Sequence, residues 1–203
     1  MIFFSNKNRP FEYGPYPLER LKRDSGVIAT ETDRPQLTRA NFSRISNRSH
    51  ASRDVLGEAI AKYHEIYRTL GKLKELPPKA PVPNDLHRRM IDIKGAGYFL
   101  DVAHVGICGI PKSAWLVGAG VLIHSHAIVI VQAFGRLPEE ENLAHAWCAG
   151  LEETVAEFRA FEVAIAISEH IQYMGFSATA HDRDTGDVDA DRLSVLSGVA
   201  LRE

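Results

Sequence analysis

Apolar residues recur every three or four positions in several stretches of the chain, a spacing that predicts amphipathic helices. The first predicted helix runs from about Asp54 to Leu73 with Ser52 as its N-cap. A proline-rich segment over 77–83 follows, and its fixed φ angles predict a stiff, extended linker. Asn84 then caps a second predicted helix, in which Gly95 and Gly97 would permit close packing on a neighbour. The stripe of the first helix comprises Leu56, Ile60, Tyr63, Tyr67 and Leu70.

The longest helical pattern runs from about Leu143 to Met174, and Gly175 is suited to the left-handed residue that ends such a helix. A last, short helix is predicted near the C-terminus, with Asp189 or Asp191 as its N-cap.

Short β-branched runs alternate with these helices. Val105 to Cys108 and Ala127 to Val131 predict buried strands, and Ser177 to His181 predicts a third one. The order helix, strand, strand, long helix, strand, helix favours an α/β (α+β) fold for residues 51–203.

Residues 1–50 have a different character, because proline and glycine interrupt them repeatedly and no helical period persists. We expect an irregular, extended arm whose rings pack against another surface. These rings belong to Phe3, Phe4, Phe11, Tyr13 and Tyr16.

Composition narrows the function classes. The 203 residues carry a net charge of -2, which gives no basic bias toward nucleic acid or an anionic membrane. The apolar runs are too short to span a bilayer, and the first residues do not form a secretory signal. Only Cys108 and Cys148 are present, which favours a reducing, cytoplasmic location.

His124 and His126 are the weak candidates for a metal site, since alternate positions on a strand share a face and imidazoles suit zinc or iron. No third or fourth ligand stands at a recognisable spacing, so a polar start to the following strand is the favoured interpretation. A small metalloenzyme that uses this histidine pair remains an alternative.

An acidic cluster precedes the last helix and superficially resembles a calcium loop. Its glycine falls one position early, and Leu193 stands where a bidentate glutamate is needed. We therefore expect a solvated loop that leads to an N-cap. The cluster comprises Asp182, Asp184, Asp187, Asp189 and Asp191. The residues considered so far carry no catalytic signature.

Several segments, taken in order, resemble the N-terminal part of corrinoid (cobalamin)-dependent reductive dehalogenases of the catabolic, single-chain type. The last two of them are also faintly similar to epoxyqueuosine reductases. They are the opening 3–11 and 13–19, the region from Ile93 to Trp115, the strand 127–131, the segment 160–181 and the segment 192–199.

The resemblance implies a nitroreductase-like core that holds cobalamin, two iron–sulfur clusters that supply electrons, and a tyrosine that donates a proton as halide leaves an organohalide. Two four-iron clusters need eight thiolates, so this chain with two cysteines cannot build them. The resemblance also places the catalytic tyrosine and its basic partners outside this chain, so no catalytic residue is carried over.

We therefore predict an N-terminal portion that scaffolds a corrinoid and is inactive alone. A C-terminal half or a ferredoxin-type partner chain would complete it. A non-enzymatic module that binds a corrinoid or a protein through the aromatic arm is the second alternative.

Overall fold

The computed structural model describes residues 24–39, 55–70, 75–120, 124–183 and 186–201. Within them the helices are α1 (Ser25–Asp33), α2 (Val55–Arg68), α3 (Leu86–Phe99), α4 (His145–Cys148), α5 (Glu152–Tyr173) and α6 (Ala190–Ser197). The strands are β1 (His104–Gly109) and β2 (His126–Val131), and a 3-10 turn covers Lys112–Ala114. This mixture of helices with a small sheet agrees with the predicted α/β class. The nitroreductase-like core stays a prediction.

The chain divides into two compact units. Of the described residues, the first unit comprises 24–39, 80–120, 124–131, 183 and 186–201, and the second comprises 55–70, 75–79 and 132–182. Helix α1 lies inside the range that the sequence predicts to be an extended arm. A helix begins there because the Asp24 side chain caps it by accepting from Gly26 N and Val27 N. The aromatic residues of the arm and the predicted cap Ser52 lie outside the described residues.

In the first unit, β1 and β2 form an antiparallel pair with Val105 opposite Ile130 and Cys108 opposite Ala127. A Cβ placed on Gly97 of α3 would lie 2.5 Å from Val105 Cγ2, and one on Gly106 would lie 2.5 Å from Ser197 Oγ of α6. Because adjacent strand residues point to opposite faces, α3 and α6 cover opposite faces of the pair.

A buried cluster lies on the α6 side of this sheet. Its members come from β1, the turn after it, the segment before α6 and α6 itself: Cys108, Ala114, Trp115, Val188, Leu193 and Leu196.

The glycine predicted to permit close packing, Gly97, does so. Helix α3 begins one residue later than expected, because the cap is Asp85, whose Oδ1 accepts from His87 N at 2.9 Å.

In the second unit, α2 packs on α5. The single long helix predicted from Leu143 is wrong: α4 ends at Cys148, and Gly150 has φ of 83° before α5 begins. A residue in the left-handed region cannot continue a right-handed helix. Gly175, also with φ of 83°, follows α5 as predicted.

The strand predicted from Ser177 to His181 is also wrong, since this segment pairs with no strand in the described part of the chain. Gln172 Nε2 donates to the Ala178 carbonyl at 2.8 Å, so a side chain from α5 holds the segment. A Cβ on Gly175 would lie 2.7 Å from the Pro77 carbonyl oxygen, which shows how closely the proline-rich linker approaches the end of α5.

Candidate functional site

Among the described residues of the first unit, Arg192 of α6 is a fully buried polar group with several partners. Its Nη1 donates to the carbonyls of Ser113 and Arg34, the latter at 3.2 Å. Its Nη2 donates to the Pro35 carbonyl at 2.8 Å, and its Nε lies 3.4 Å from Asp189 Oδ2. One guanidinium thus ties α6 to two segments that are distant in sequence.

Asp189 completes this arrangement, because it is 2% exposed and caps α6. Its Oδ1 accepts from Arg192 N at 3.0 Å, and its own N donates to the Ala114 carbonyl at 2.8 Å. Nearby, Arg39 forms an ion pair with Asp187. The acidic loop is therefore a cap, as predicted, but it is not simply solvated: Asp182 and Asp189 are buried. Asp184 lies outside the described residues.

These contacts determine what the cluster can do chemically. A guanidinium with no exposed surface, whose nitrogens all face carbonyls or a carboxylate, offers no donor to a ligand. Because buried polar groups are costly unless they are hydrogen-bonded, the contacts instead stabilise one arrangement of the segments. We assign the contacts of Arg192 and Asp189 to the structural framework and not to catalysis.

In the second unit, Arg68 of α2 is the corresponding group. Its Nε lies 2.7 Å from Asp182 Oδ2, and its Nη1 lies 2.8 Å from Glu65 Oε2. Burial by itself lowers the pKa of Arg68, but the hydrogen bonds to Asp182 and Glu65 outweigh it, so the pKa is raised. The ion pair anchors the segment after α5 to α2.

Beside it, the Tyr67 hydroxyl donates to Glu162 Oε1 at 2.9 Å. This hydrogen bond raises the pKa of Tyr67, with smaller contributions from burial and from the carboxylate charge. The Phe158 ring meets Tyr67 edge-on at 5.4 Å, and Phe161 meets His64 in the same way at 5.1 Å. A raised pKa disfavours proton release, so the pair is suited to joining α2 and α5.

The predicted metal candidates lie at the start of β2. His126 is its exposed first residue, and His124 is half-buried two positions earlier. The Ser125 hydroxyl lies 2.9 Å from His126 Nδ1. Across the described ranges, no three His, Cys, Asp or Glu side chains are grouped so that they could hold a metal ion. The histidine site therefore stays a prediction without a third ligand in the described part of the chain.

Neither cysteine is in a disulfide. Cys108 is buried and its Sγ lies 3.7 Å from the Leu193 carbonyl oxygen, and Cys148 is half-buried. Among the helices of the described residues, none has the length and hydropathy needed to cross a membrane.

Sequence reasoning missed the polar contacts that organise both units. Arg68 and Asp182 are 114 positions apart, and Arg192 and Arg34 are 158 apart, so no local pattern connects them. A partial signal existed for one contact, because Arg192 stands three positions after the capping residue Asp189.

The fold of this chain is similar to that of solved reductive dehalogenases. The chain is similar to the catabolic reductive dehalogenase NpRdhA in complex with 3-bromo-4-hydroxybenzoic acid, with 30% identity over 97% of this chain and a TM-score of 0.74. It is similarly related to an N-terminally tagged NpRdhA at 30% identity, 97% coverage of this chain and a TM-score of 0.74. A reductive dehalogenase described in connection with B12-dependent dehalogenation gives 29% identity over 96% of this chain and a TM-score of 0.70.

The chain spans only about a quarter of these solved relatives, namely 26%, 27% and 26% of their lengths. No protein-family model and no curated protein matches it. The resemblance to reductive dehalogenases seen in the sequence is thus confirmed for the fold of the part of those proteins that this chain matches. The N-terminal placement and the similarity to epoxyqueuosine reductases stay predictions.

Proposed function

We propose that this chain is the N-terminal portion of a reductive dehalogenase-like protein and acts as a scaffold for its corrinoid. The observation that carries the proposal is the match of 97% of this chain to 26% of NpRdhA at a TM-score of 0.74. The remaining parts of the fold would come from a C-terminal half or a partner chain, which would also supply the iron–sulfur clusters and contact the organohalide.

The chemistry of the described side chains fits a framework and not a complete cofactor site. The guanidiniums of Arg68 and Arg192 are held by the chain's own carbonyls and carboxylates. Cobalamin, when bound, supplies the low-valent cobalt that reduces a carbon–halogen bond. The contribution of this chain is to hold the surrounding segments in place.

A titration with hydroxocobalamin tests this proposal. The visible spectrum and the melting temperature are recorded together, because a ligand that binds only the folded state raises its apparent stability. At a hundred times the dissociation constant the gain is about 2.7 kcal/mol. A saturable spectral change with a higher melting temperature is expected. A folded protein with neither response would refute a corrinoid site in this portion.

A matched pair of variants asks whether an imidazole at the start of β2 contacts the cobalt. His126→Ala removes the exposed histidine of the predicted pair, and His87→Ala removes an exposed histidine of α3 as the control. Loss of the spectral change in His126→Ala alone would place the ligand at β2. Metal analysis of the same proteins decides the metalloenzyme alternative, which requires stoichiometric zinc or iron that His126→Ala removes.

A further inference from the structure

Helix α2 carries an apolar stripe that the fold of its own unit leaves exposed. Among its side chains, Leu56 is 40% exposed, Tyr63 58% and Ile66 46%, and Leu70, in the turn after the helix, is 47% exposed. Ala59 lies half-buried between them. We call these five residues the α2 seam. Their spacing is 3-4-3-4, which is the spacing of the apolar positions of a coiled-coil helix.

The seam is not the face by which α2 packs on α5. Tyr67 and His64 point to the aromatic rings of α5, and Arg68 points to Asp182. At about 100° per residue, these positions lie beside the seam on the helix surface and not within it. The contacts to α5 therefore hold α2 in one orientation, and that orientation keeps the seam exposed.

The backbone also keeps the end of the seam ordered. Thr69 N donates to the Ile66 carbonyl at 3.0 Å, and Leu70 N donates to the Tyr67 carbonyl at 3.0 Å. These bonds between residues three apart tighten the turn that follows the helix. From Leu56 to Leu70 the seam is about 21 Å long at 1.5 Å per residue, which is nearly four helical turns.

We infer that the α2 seam binds an α-helix of the polypeptide that completes this protein. The 3-4 spacing selects a helix as the occupant, because knobs of a facing helix fit the holes that such spacing creates. The inference rests on the proposed function, since the solved relatives are about four times as long as this chain. Exposed Glu58 and Lys62 flank the seam on the side away from α5, so the facing helix should carry a basic group opposite Glu58 and a carboxylate opposite Lys62.

A single short seam also argues against self-association as its purpose. A specific interface buries roughly 800 Å² on each partner, and one helix face of this length provides only part of that area. A helix that belongs to a larger folded surface can gain the remainder from its neighbours, whereas two isolated seams, like the seam and an isolated peptide helix, would associate only weakly.

The probe for this inference is a fluorescein-labelled amphipathic peptide of about three heptads, with leucine at the 3-4 positions and glutamate beside them. The peptide and the full chain are each used at concentrations at which sedimentation shows that they are monomeric. Binding of the labelled peptide to the full chain is followed by fluorescence anisotropy. Ile66→Glu places a charge in the seam. Tyr173→Glu is the matched control, because Tyr173 is 65% exposed on α5, in the same unit.

Saturable binding by the wild type and by Tyr173→Glu is expected, with affinity at least about tenfold weaker for Ile66→Glu, since tenfold corresponds to the loss of one modest apolar contact. Absence of saturable binding to the wild type would overturn the inference, as would an equal loss in both variants. Circular dichroism checks that each variant folds. If Ile66→Glu does not fold, Tyr63→Glu serves as the second seam variant.

Sedimentation of the wild type alone tests whether a second copy of this chain, instead of a helix of another polypeptide, occupies the seam. A dimer that Ile66→Glu disrupts and Tyr173→Glu preserves would mean that a second copy fills the seam, and the inference would be wrong. The peptide experiment contains no cobalamin, so its outcome is independent of the corrinoid titration. Peptide binding with no cobalamin response would support helix binding at the seam and refute the proposed corrinoid scaffold. A cobalamin response with no peptide binding would support the scaffold and overturn the inference.

Discussion

Replacement of Arg192 by leucine tests whether one buried guanidinium organises the first unit. The change removes the donors to the carbonyls of Arg34, Pro35 and Ser113, and it leaves the Asp189 carboxylate buried without its ion-pair partner. Removal of one partner of a buried ion pair costs about 3–5 kcal/mol. Because a domain is stable by only about 5–15 kcal/mol, the loss should dominate the stability of this unit.

Trp115 reports on this unit, since it is 6% exposed in the buried cluster next to the Arg192 contacts. The second tryptophan, Trp147, is 58% exposed in the other unit, so a Trp147→Phe background isolates the signal. With a urea slope of about 2 kcal/mol per M, the expected loss lowers the midpoint by about 2 M. A red-shifted emission without urea would show that the loss exceeds the total stability.

Two further variants make the test specific. Arg192→Lys should fall between the wild type and Arg192→Leu, because an ammonium keeps the charge but lacks the planar fork that reaches carbonyls on two sides. Arg88→Leu, at an exposed position on α3 of the same unit, should leave the midpoint unchanged. A shift for Arg192→Leu below about 1 kcal/mol, or one equal to that of Arg88→Leu, would refute the reasoning.

Three other outcomes are expected. Asp182→Asn should destabilise the second unit by about 1–3 kcal/mol in urea unfolding, because Arg68 loses a buried partner while it keeps some contact with water; an unchanged midpoint would contradict this. Gly175→Ala should cost more than Gly150→Ala in the same assay: both have φ of 83°, but a Cβ only at Gly175 meets backbone at 2.7 Å. The raised pKa of Tyr67 implies a stabilisation that is complete below the unfolded value of 10.0 and is lost as pH rises through the folded pKa. The stability difference between wild type and Tyr67→Phe should therefore shrink above that pH, and a constant difference would argue against the hydrogen bond.

Local chemistry accounts for the elements that were predicted correctly. The β-branched runs at 105–108 and 127–131 became β1 and β2, and Asp189 caps α6 as its side-chain type favours. Gly175 follows α5 because it tolerates the left-handed conformation there. The errors arose where local signals compete: Gly150 divides a long helical pattern, and in the segment 177–181 the Ala178 carbonyl accepts a hydrogen bond from the Gln172 side chain of α5.

The stripe of α2 illustrates the limit of periodicity. The sequence combines Leu56, Ile60, Tyr63, Tyr67 and Leu70 into one apolar face. In the fold, Tyr67 packs on α5, whereas Leu56, Tyr63 and Leu70 remain exposed. A helical period says that residues share a side of the helix, but only the position of the neighbouring helix decides which part of that side is covered.

By itself, the sequence determined the two strands β1 and β2, the cap of α6, the end of α5, the class of fold and the resemblance to reductive dehalogenases, because each depends on neighbouring residues or on the order of segments. It also determined that two cysteines cannot hold two four-iron clusters. Only the tertiary structure decided that the buried Arg192 and the partly exposed Arg68 are framework groups and that the α2 seam is exposed. Those properties depend on partners more than a hundred positions away or on a neighbouring helix, and no local pattern encodes such distances.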